Sequence, residues 1–231
     1  MAMGLFAFIL YATWATFQNS HYYAAPYLSP FYSPCVSANC TYQTAPLVGS
    51  WWKVSPALAV VWIPLGFRTS CYYFRRVYYR SFWLSPPACA VADARPRYSG
   101  ESRLPLILNN VHRYFFYLAF ALAIVDSWDA VAAFDFSGHF GIGLGSLIML
   151  TDAVLLWSYT LGCHSCRHLV GGRLKLLSAH RIRYRLWKGS SVLNRHHGLF
   201  GWTSLGWVGF TDLYVRLVST GVITDPRWVL H

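Results

Sequence analysis

Charged residues are scarce in this chain. Only 12% of its 231 residues are charged, whereas 55% are hydrophobic and 18% are aromatic. Soluble domains usually carry about twice that share of charge, so the composition excludes an ordinary soluble protein and indicates an integral membrane protein. The sequence also lacks an internal repeat and a separate soluble stretch, so we expect residues 1–231 to form a single transmembrane domain.

Acidic residues are the scarcer of the two charged classes. The chain has 8 Asp and Glu against 19 Lys and Arg, a formal net charge of +11. In a soluble protein this excess would indicate nucleic-acid binding, but here 15 of the 19 cations lie in two segments, 68–103 and 167–195. Because these segments separate apolar runs, the positive-inside rule places both on the cytoplasmic side of a lipid bilayer. We therefore expect no nucleic-acid partner.

Five apolar runs predict an all-α bundle of about five transmembrane helices, with the N-terminus cytoplasmic and the C-terminus outside. The predicted helices cover about 2–17, 54–79, 104–134, 142–166 and 199–223. The first run lacks a basic n-region and a convincing cleavage site, which favours an uncleaved helix over a signal peptide. Segment 18–52 is then an extracytoplasmic loop, where we expect Cys35 and Cys40 to form a disulfide.

Carboxyl groups within the apolar runs are a second unusual feature. Asp126 and Asp129 lie in the third predicted helix and Asp152 in the fourth. A charge at the centre of a membrane helix costs about 2.5–3.5 kcal/mol on insertion scales, so such groups tend to face the bundle interior or a proton route. We expect these three side chains to form a proton path toward the outer surface. The alternative is that Asp126 and Asp129 are solvated at the outer interface.

Metal-ligand side chains are concentrated in the segment 163–168, which reads Cys-His-Ser-Cys-Arg-His and precedes Gly171-Gly172. At about 100° per helical residue, its two thiols point largely away from its two imidazoles. An unbroken helix therefore cannot place all four around one ion. Either the helix unwinds before the two glycines, or other segments complete the site. The candidate ligands are a subset of four drawn from Cys89, Cys163, Cys166, His112, His164 and His168, with Cys71 as a further candidate.

Several centres can use thiols and imidazoles. Structural zinc accepts both, but it normally holds together a small soluble domain. A bis-His b-type haem could use His112 with His168 or His197, which leaves the thiols unexplained. A [2Fe-2S] cluster with two Cys on one iron and two His on the other uses both ligand types. A C-x-x-C dithiol formed by Cys163 and Cys166 that reacts with quinone, and a purely structural scaffold, are further alternatives.

Four segments carry a resemblance to a known family. They are Cys71-Tyr-Tyr-Phe-Arg-Arg through to Cys89, Asn110-Val-His-Arg-Tyr-Phe-Phe-Tyr, Cys163 to Gly172, and Thr211-Asp-Leu-Tyr-Val-Arg216. Together they resemble the membrane-anchor subunit of an actinobacterial succinate dehydrogenase, over about 54–224.

The resemblance implies a multi-pass subunit of the bacterial plasma membrane that belongs to a succinate:menaquinone oxidoreductase and does not oxidise succinate by itself. It implies flavoprotein and iron-sulfur partner subunits on the cytoplasmic face, and a Rieske-type [2Fe-2S] cluster in this chain. A haem b that reduces quinone is the alternative cofactor. For menaquinone, we expect binding near Trp83, Arg113 and Tyr114, in the aromatic and basic belt at the inner interface.

Overall fold

The structure is a computed structural model that describes residues 2–33, 46–48, 52, 53, 55, 57–82, 107–171, 176 and 179–230, and it is mostly helical. The helices are α1 (Ala2–Gln18), α2 (Leu58–Ser70), α3 (Tyr72–Phe82), α4 (Ile107–Ala132), α5 (Leu144–Leu161), α6 (His164–Gly171), α7 (Arg181–Arg195) and α8 (His197–Ser219). The strands are β1 (Tyr23–Ala24), β2 (Tyr27–Leu28), β3 (Pro46–Val48), β4 (Trp52–Lys53), β5 (Asp135–Phe136), β6 (His139–Gly143) and β7 (Arg227–Val229).

Helix α5 lies at the centre of the bundle. It packs against α4 on one side and α8 on the other, α2 packs against the far side of α4, and α1 packs against α8. Helices α1, α2, α4, α5 and α8 overlap the five predicted apolar runs, and α3, α6 and α7 lie between these helices along the chain. The predicted disulfide of Cys35 with Cys40 lies outside the described residues, as do Trp83 and Cys89.

Two predicted helices are interrupted, and both interruptions fall at a cysteine. The predicted helix 54–79 divides at Cys71, whose backbone is extended (φ −65°, ψ 134°), into α2 and α3. The predicted helix 142–166 ends at Leu161, and Gly162 and Cys163 separate α5 from α6. Hydrophobic periodicity does not locate these breaks, because a helical segment resumes directly after each of them, as α3 and as α6.

Among the described residues, two helices have the length and apolar composition needed to cross a membrane, Val111–Ala132 and Leu144–Leu161. The apolar helices Ala2–Gln18 and Leu58–Ser70 are shorter. Large apolar side chains point outward from the bundle, for example Trp128 on α4, which is 74% exposed. An outer surface of this kind is typical of contact with lipid. The count of five spans and the orientation of the termini stay predictions.

At the end of the bundle opposite to α6 and α7, short strands close the structure. Strands β5 and β6 form a hairpin, and β7 pairs with β6. Asp225 accepts hydrogen bonds from the Tyr27 hydroxyl (2.6 Å), the Tyr214 hydroxyl (2.5 Å) and the Gly145 amide (2.9 Å). A Cβ on Gly145 would lie 2.6 Å from the Tyr27 ring, so only glycine allows this ring to pack on the start of α5.

A buried ion pair joins α8 to the first helix at the same end. Asp212 is fully buried and lies 2.7 Å from Nε of Arg216, one turn further along. The Tyr11 hydroxyl donates to Asp212 over 2.6 Å, and Arg216 donates to the Ala15 carbonyl and the Gln18 side chain of α1. Every one of these charged contacts crosses from α8 to α1 or lies within α8. The pair therefore fixes the position of α1 on the bundle.

We predict that Asp212→Ala destabilises the protein by about 3–5 kcal/mol, because it leaves the Arg216 guanidinium buried without its partner charge. The measurement is the thermal unfolding of the purified complex in detergent. Replacing both charges, as in Asp212→Leu with Arg216→Met, should recover much of the loss. The control is Asp135→Asn, an exposed carboxyl at the same end. An Asp212→Ala complex that unfolds at the temperature of the control would contradict the prediction.

Candidate functional site

Two thiols and two imidazoles meet in the interior of the bundle. They belong to Cys71, His112, Cys163 and His197, each of which is at most 7% exposed. The His112 Nε2 atom lies 2.9 Å from the Cys163 sulfur, and the Cys71 sulfur lies 3.6 Å from the His197 Nε2 atom. We call these four side chains the Cys/His cluster. They come from four separate parts of the chain, so only the folded bundle brings them together.

Helix ends position the cluster. Cys71 occupies the break between α2 and α3, Cys163 the break between α5 and α6, and His197 is the first residue of α8. Only His112 lies within a helix, in the second turn of α4. A residue at a helix break can point its side chain across the bundle axis, away from the regular helical direction. The two interruptions described above are thus what turns two cysteines toward the same point.

Aromatic rings enclose the cluster. The Phe67 ring stacks on His112 with centroids 4.8 Å apart, and the Tyr159 ring stacks on His197 at 4.7 Å. The Ser70 hydroxyl lies 2.9 Å from His112 Nδ1, which orients that ring, as a partner on the second nitrogen does for metal-bound histidines. The Nδ1 atom of His197 is buried and has no hydrogen-bond partner among the residues that the structure describes.

The segment 163–168 contributes only part of its ligands to the cluster. Cys163 belongs to it, whereas Cys166, also buried, lies three residues further along in α6. His164 and His168 lie on the exposed side of α6, with their Nε2 atoms 3.0 Å apart. The thiols and imidazoles of this segment therefore point to different sides, as the helical geometry predicts. Their ligand roles, and that of Cys89, stay predictions.

The donor set can be compared with the centres considered from the sequence. Within the described part of the chain, no three His, Cys, Asp or Glu side chains converge on one ion, so a single zinc ion finds no site there. A [2Fe-2S] cluster needs two donors on each iron, and two thiols with two imidazoles supply them. By donor chemistry the Cys/His cluster fits such a centre. Each thiol contacts an imidazole in this structure. A cluster with both thiols on one iron would therefore require these thiol–imidazole contacts to break.

Cys71 and His197 belong to the Cys/His cluster, although neither is in the main ligand set expected from the sequence. Cys71 was only a further candidate, and His197 entered only as a haem ligand. The signal that could have identified them is position: both lie next to apolar runs at the same predicted membrane face as Cys163. The ligands of segment 163–168 are adjacent in sequence, which suggests a metal site, but adjacency does not place side chains on one side of a helix.

A large cavity lies beside the cluster, among α1, α2, α4, α5 and α8. Its volume is about 560 Å³, within the usual range for ligand pockets, and most of its lining is apolar. Phe67 and Tyr159 line the cavity and also stack on the two histidines, so one layer of rings separates the cavity from the cluster. Polar groups in the lining include Arg68, Asp126 and the Tyr159 hydroxyl. The Tyr159 hydroxyl has no hydrogen-bond partner among the described residues.

Arg113 and Tyr114, two of the three residues expected to bind quinone, are not among the residues that line this cavity. Arg113 and Tyr114 lie on the outer side of α4, where Tyr114 is 71% exposed. Trp83 is outside the described residues. A quinone contact at Arg113 and Tyr114 stays a prediction.

The dithiol alternative depends on reactive thiols at Cys163 and Cys166. Both are free and buried. Burial raises the pKa of the Cys166 thiol, which lowers the fraction of thiolate, the form that attacks disulfides and quinones. Reactive cysteines have the opposite character, since they are partly exposed and lie in electropositive surroundings. These properties disfavour a thiol oxidoreductase.

We predict that iodoacetamide at pH 8 modifies Cys166 in the native complex at least about tenfold more slowly than it modifies glutathione in the same solution, because the thiol is buried and its pKa is raised. Mass spectrometry of the peptide that contains Cys166 gives the rate. Denaturing the protein first should remove the difference. Native labelling as fast as that of glutathione would restore the dithiol alternative.

Comparisons with known proteins agree on one family. The family model for actinobacterial succinate dehydrogenase subunit SdhC matches residues 1–221. The structure is similar to a chain of the Mycobacterium smegmatis Sdh1 complex in the apo form, with a TM-score of 0.83 and 46% sequence identity, over 100% of this chain and 89% of that one. Among curated proteins, none matches the chain significantly. The chain belongs to the family of actinobacterial succinate dehydrogenase SdhC subunits.

Proposed function

We propose that this chain is the membrane-anchor and electron-transfer subunit of a succinate:menaquinone oxidoreductase, and that Cys71, Cys163, His112 and His197 hold a Rieske-type [2Fe-2S] cluster. As a succinate dehydrogenase subunit, the chain assembles with flavoprotein and iron-sulfur subunits and does not oxidise succinate alone. The observation that carries the proposal is the convergence of two buried thiols and two buried imidazoles from four parts of the chain. When bound, the cluster supplies one-electron transfer, at a potential that its two neutral imidazoles raise.

The protein environment supports this assignment. Two thiols and two imidazoles in an apolar core are costly to bury, and the Nδ1 atom of His197 has no hydrogen-bond partner among the described residues. Phe67, Phe116, Tyr159 and Leu205 surround the thiols in a single hydrophobic cluster, which excludes water from the centre. The Ser70 contact holds the His112 ring in one orientation. Such a site favours an electron relay over a centre that exchanges ligands with solvent.

Menaquinone would occupy the 560 Å³ cavity. The cavity is apolar enough for the ring system, and the Tyr159 hydroxyl and Arg68 offer donors for a quinone carbonyl. Arg68 is held in place by hydrogen bonds to the Gly201 carbonyl (2.8 Å) and the Ser204 hydroxyl (3.0 Å). Because the Phe67 and Tyr159 rings line the cavity and stack on the histidines, an electron would cross one layer of side chains.

The proposed topology keeps five spans, with the N-terminus and the basic segments cytoplasmic, in the bacterial plasma membrane. Helices α6 and α7 carry much of the positive charge and lie next to the end of the bundle that holds the Cys/His cluster. The positive-inside rule then places the cluster near the cytoplasmic face, where the partner subunits would deliver electrons.

We predict that Cys71→Ser, Cys163→Ser, His112→Ala and His197→Ala each remove the EPR signal of the His-ligated [2Fe-2S] cluster. Each should lower succinate:quinone reductase activity by more than about tenfold, because losing a ligand costs more than losing a residue that only hydrogen-bonds to a ligand. Activity with a soluble dye, which takes electrons from the partner subunits, should remain. EPR spectra and the two activities of the purified complex give the answer.

The matched controls are Cys166→Ser and His168→Ala, which change the same residue types nearby in the chain. They should keep both the signal and the quinone reductase activity. Loss of the signal in the controls but not in the four variants would move the ligand set back to the segment 163–168. An absorbance band of haem, retained after all the cysteine changes, would instead support the bis-His alternative.

A further inference from the structure

Three carboxyl groups connect the large cavity with the end of the bundle that is opposite to the Cys/His cluster. Asp126 and Asp129 lie one turn apart on α4, and Asp152 faces them from α5. The three line a second, small cavity of about 10 Å³, enough for a single water molecule. Asp126 lines both the small cavity and the large one, so the two spaces meet at its side chain.

The buried carboxyl of Asp152 indicates what the small cavity is for. Its side chain is 4% exposed, and its Oδ1 atom has no hydrogen-bond partner among the described residues. An unpaired carboxyl oxygen inside a membrane protein is costly, so it implies a partner other than the described residues. A cation does not fit, since no three acidic, His or Cys side chains of the described residues converge on one ion. A water molecule and the protons it exchanges do fit.

The far end of this row of carboxyls is accessible. Asp129 is only half-buried, and it accepts a hydrogen bond from the Ser33 hydroxyl, which follows the short helical turn 30–32. Ser33 also lines the small cavity, together with both carboxyls of α4. The neighbouring elements β5, β6 and β7 close this end of the bundle, away from the basic helices α6 and α7. By the positive-inside rule it is the outer end.

We propose that the protons consumed in quinone reduction enter from the outer end of the bundle, through Asp129 and Ser33, the small cavity with Asp152, and Asp126, which delivers them to the large cavity. The inference rests on the proposed function, since it requires a quinone in that cavity. Succinate loses two electrons and two protons at the partner subunits. The quinone takes up the two electrons by way of this chain and two protons by way of the carboxyls, and it becomes quinol.

A titratable carboxyl suits each step of this route. A carboxyl can accept a proton on one oxygen and release another from its second oxygen, and water in the small cavity can carry a proton between two of them. Arg68 lies on the cavity side of Asp152 and interacts with it electrostatically. Its fixed positive charge opposes the passage of protons beyond the cavity toward the cluster. Protons and electrons would therefore reach the quinone from opposite directions.

The test uses the whole complex reconstituted in liposomes that contain menaquinone and a trapped pH-sensitive dye, with potassium and valinomycin to remove the membrane potential. Succinate is added outside, so only complexes whose flavoprotein faces outward react. The outer end of the bundle then faces the lumen. We expect the lumen to become alkaline during turnover, and the uncoupler-sensitive change should amount to two protons per succinate.

Variants separate the route from the rest of the enzyme. Asp126→Asn and Asp152→Asn should lower quinone reduction at least about tenfold, because each removes a proton-carrying group. The succinate–dye activity and the cluster EPR signal should stay unchanged, which also shows that the variants fold. Asp152→Glu, which keeps a carboxyl, should retain more activity than Asp152→Asn. Asp135→Asn, an exposed carboxyl at the same end, should behave like the unmodified complex.

Two results would overturn the route while leaving the proposed function intact. One is quinone reduction without a change of pH in the lumen, since the protons would then come from the flavoprotein side. The other is full activity in both Asp→Asn variants. If the unmodified complex lacks the cluster signal and does not reduce quinone, the proposed function fails, and the route fails with it.

Discussion

The interruption of two helices, one at Cys71 and one at Gly162-Cys163, determines how the rest of this structure is arranged. Without the breaks, α2 with α3 and α5 with α6 would be continuous rods, and their cysteines would lie at fixed angles on separate surfaces. With them, both thiols turn into the core, where His112 and His197 meet them. The packing of Phe67 and Tyr159, and the position of the large cavity, follow from that meeting point.

Composition and charge were enough to predict a helical membrane protein and the approximate course of α1, α4 and α8. These features depend on periodicity and on the total apolar content, which a single sequence displays directly. The helix breaks and the amphipathic helix α7, which lies in a segment expected only to be basic, depend on tertiary contacts. The same applies to the small strands β5, β6 and β7, which a bundle interpretation had no reason to include.

The candidate site shows the same division. The sequence predicts a centre of two thiols with two imidazoles, and helical geometry indicates that an unbroken helix over 163–168 cannot place all four of its ligands around one ion. The sequence could not predict that Cys71 and His197 would meet Cys163 and His112. Cys71 and His197, which contact each other, are 126 positions apart in the sequence. Only the packing of α8 against α5 brings His197 to this point. The proximity of Asp126, Asp129 and Asp152 is easier to predict, since α4 and α5 follow each other along the chain and pack together.

The origin of His197 has a consequence for biosynthesis. Three of the four cluster residues are in the first 163 residues, whereas His197 begins α8 and leaves the ribosome after the other three. Under the ligand set proposed above, the site is incomplete until α8 has been inserted and packed against α5. Iron and sulfide would then be loaded only after α8 has been inserted, onto a chain that is already embedded in the bilayer.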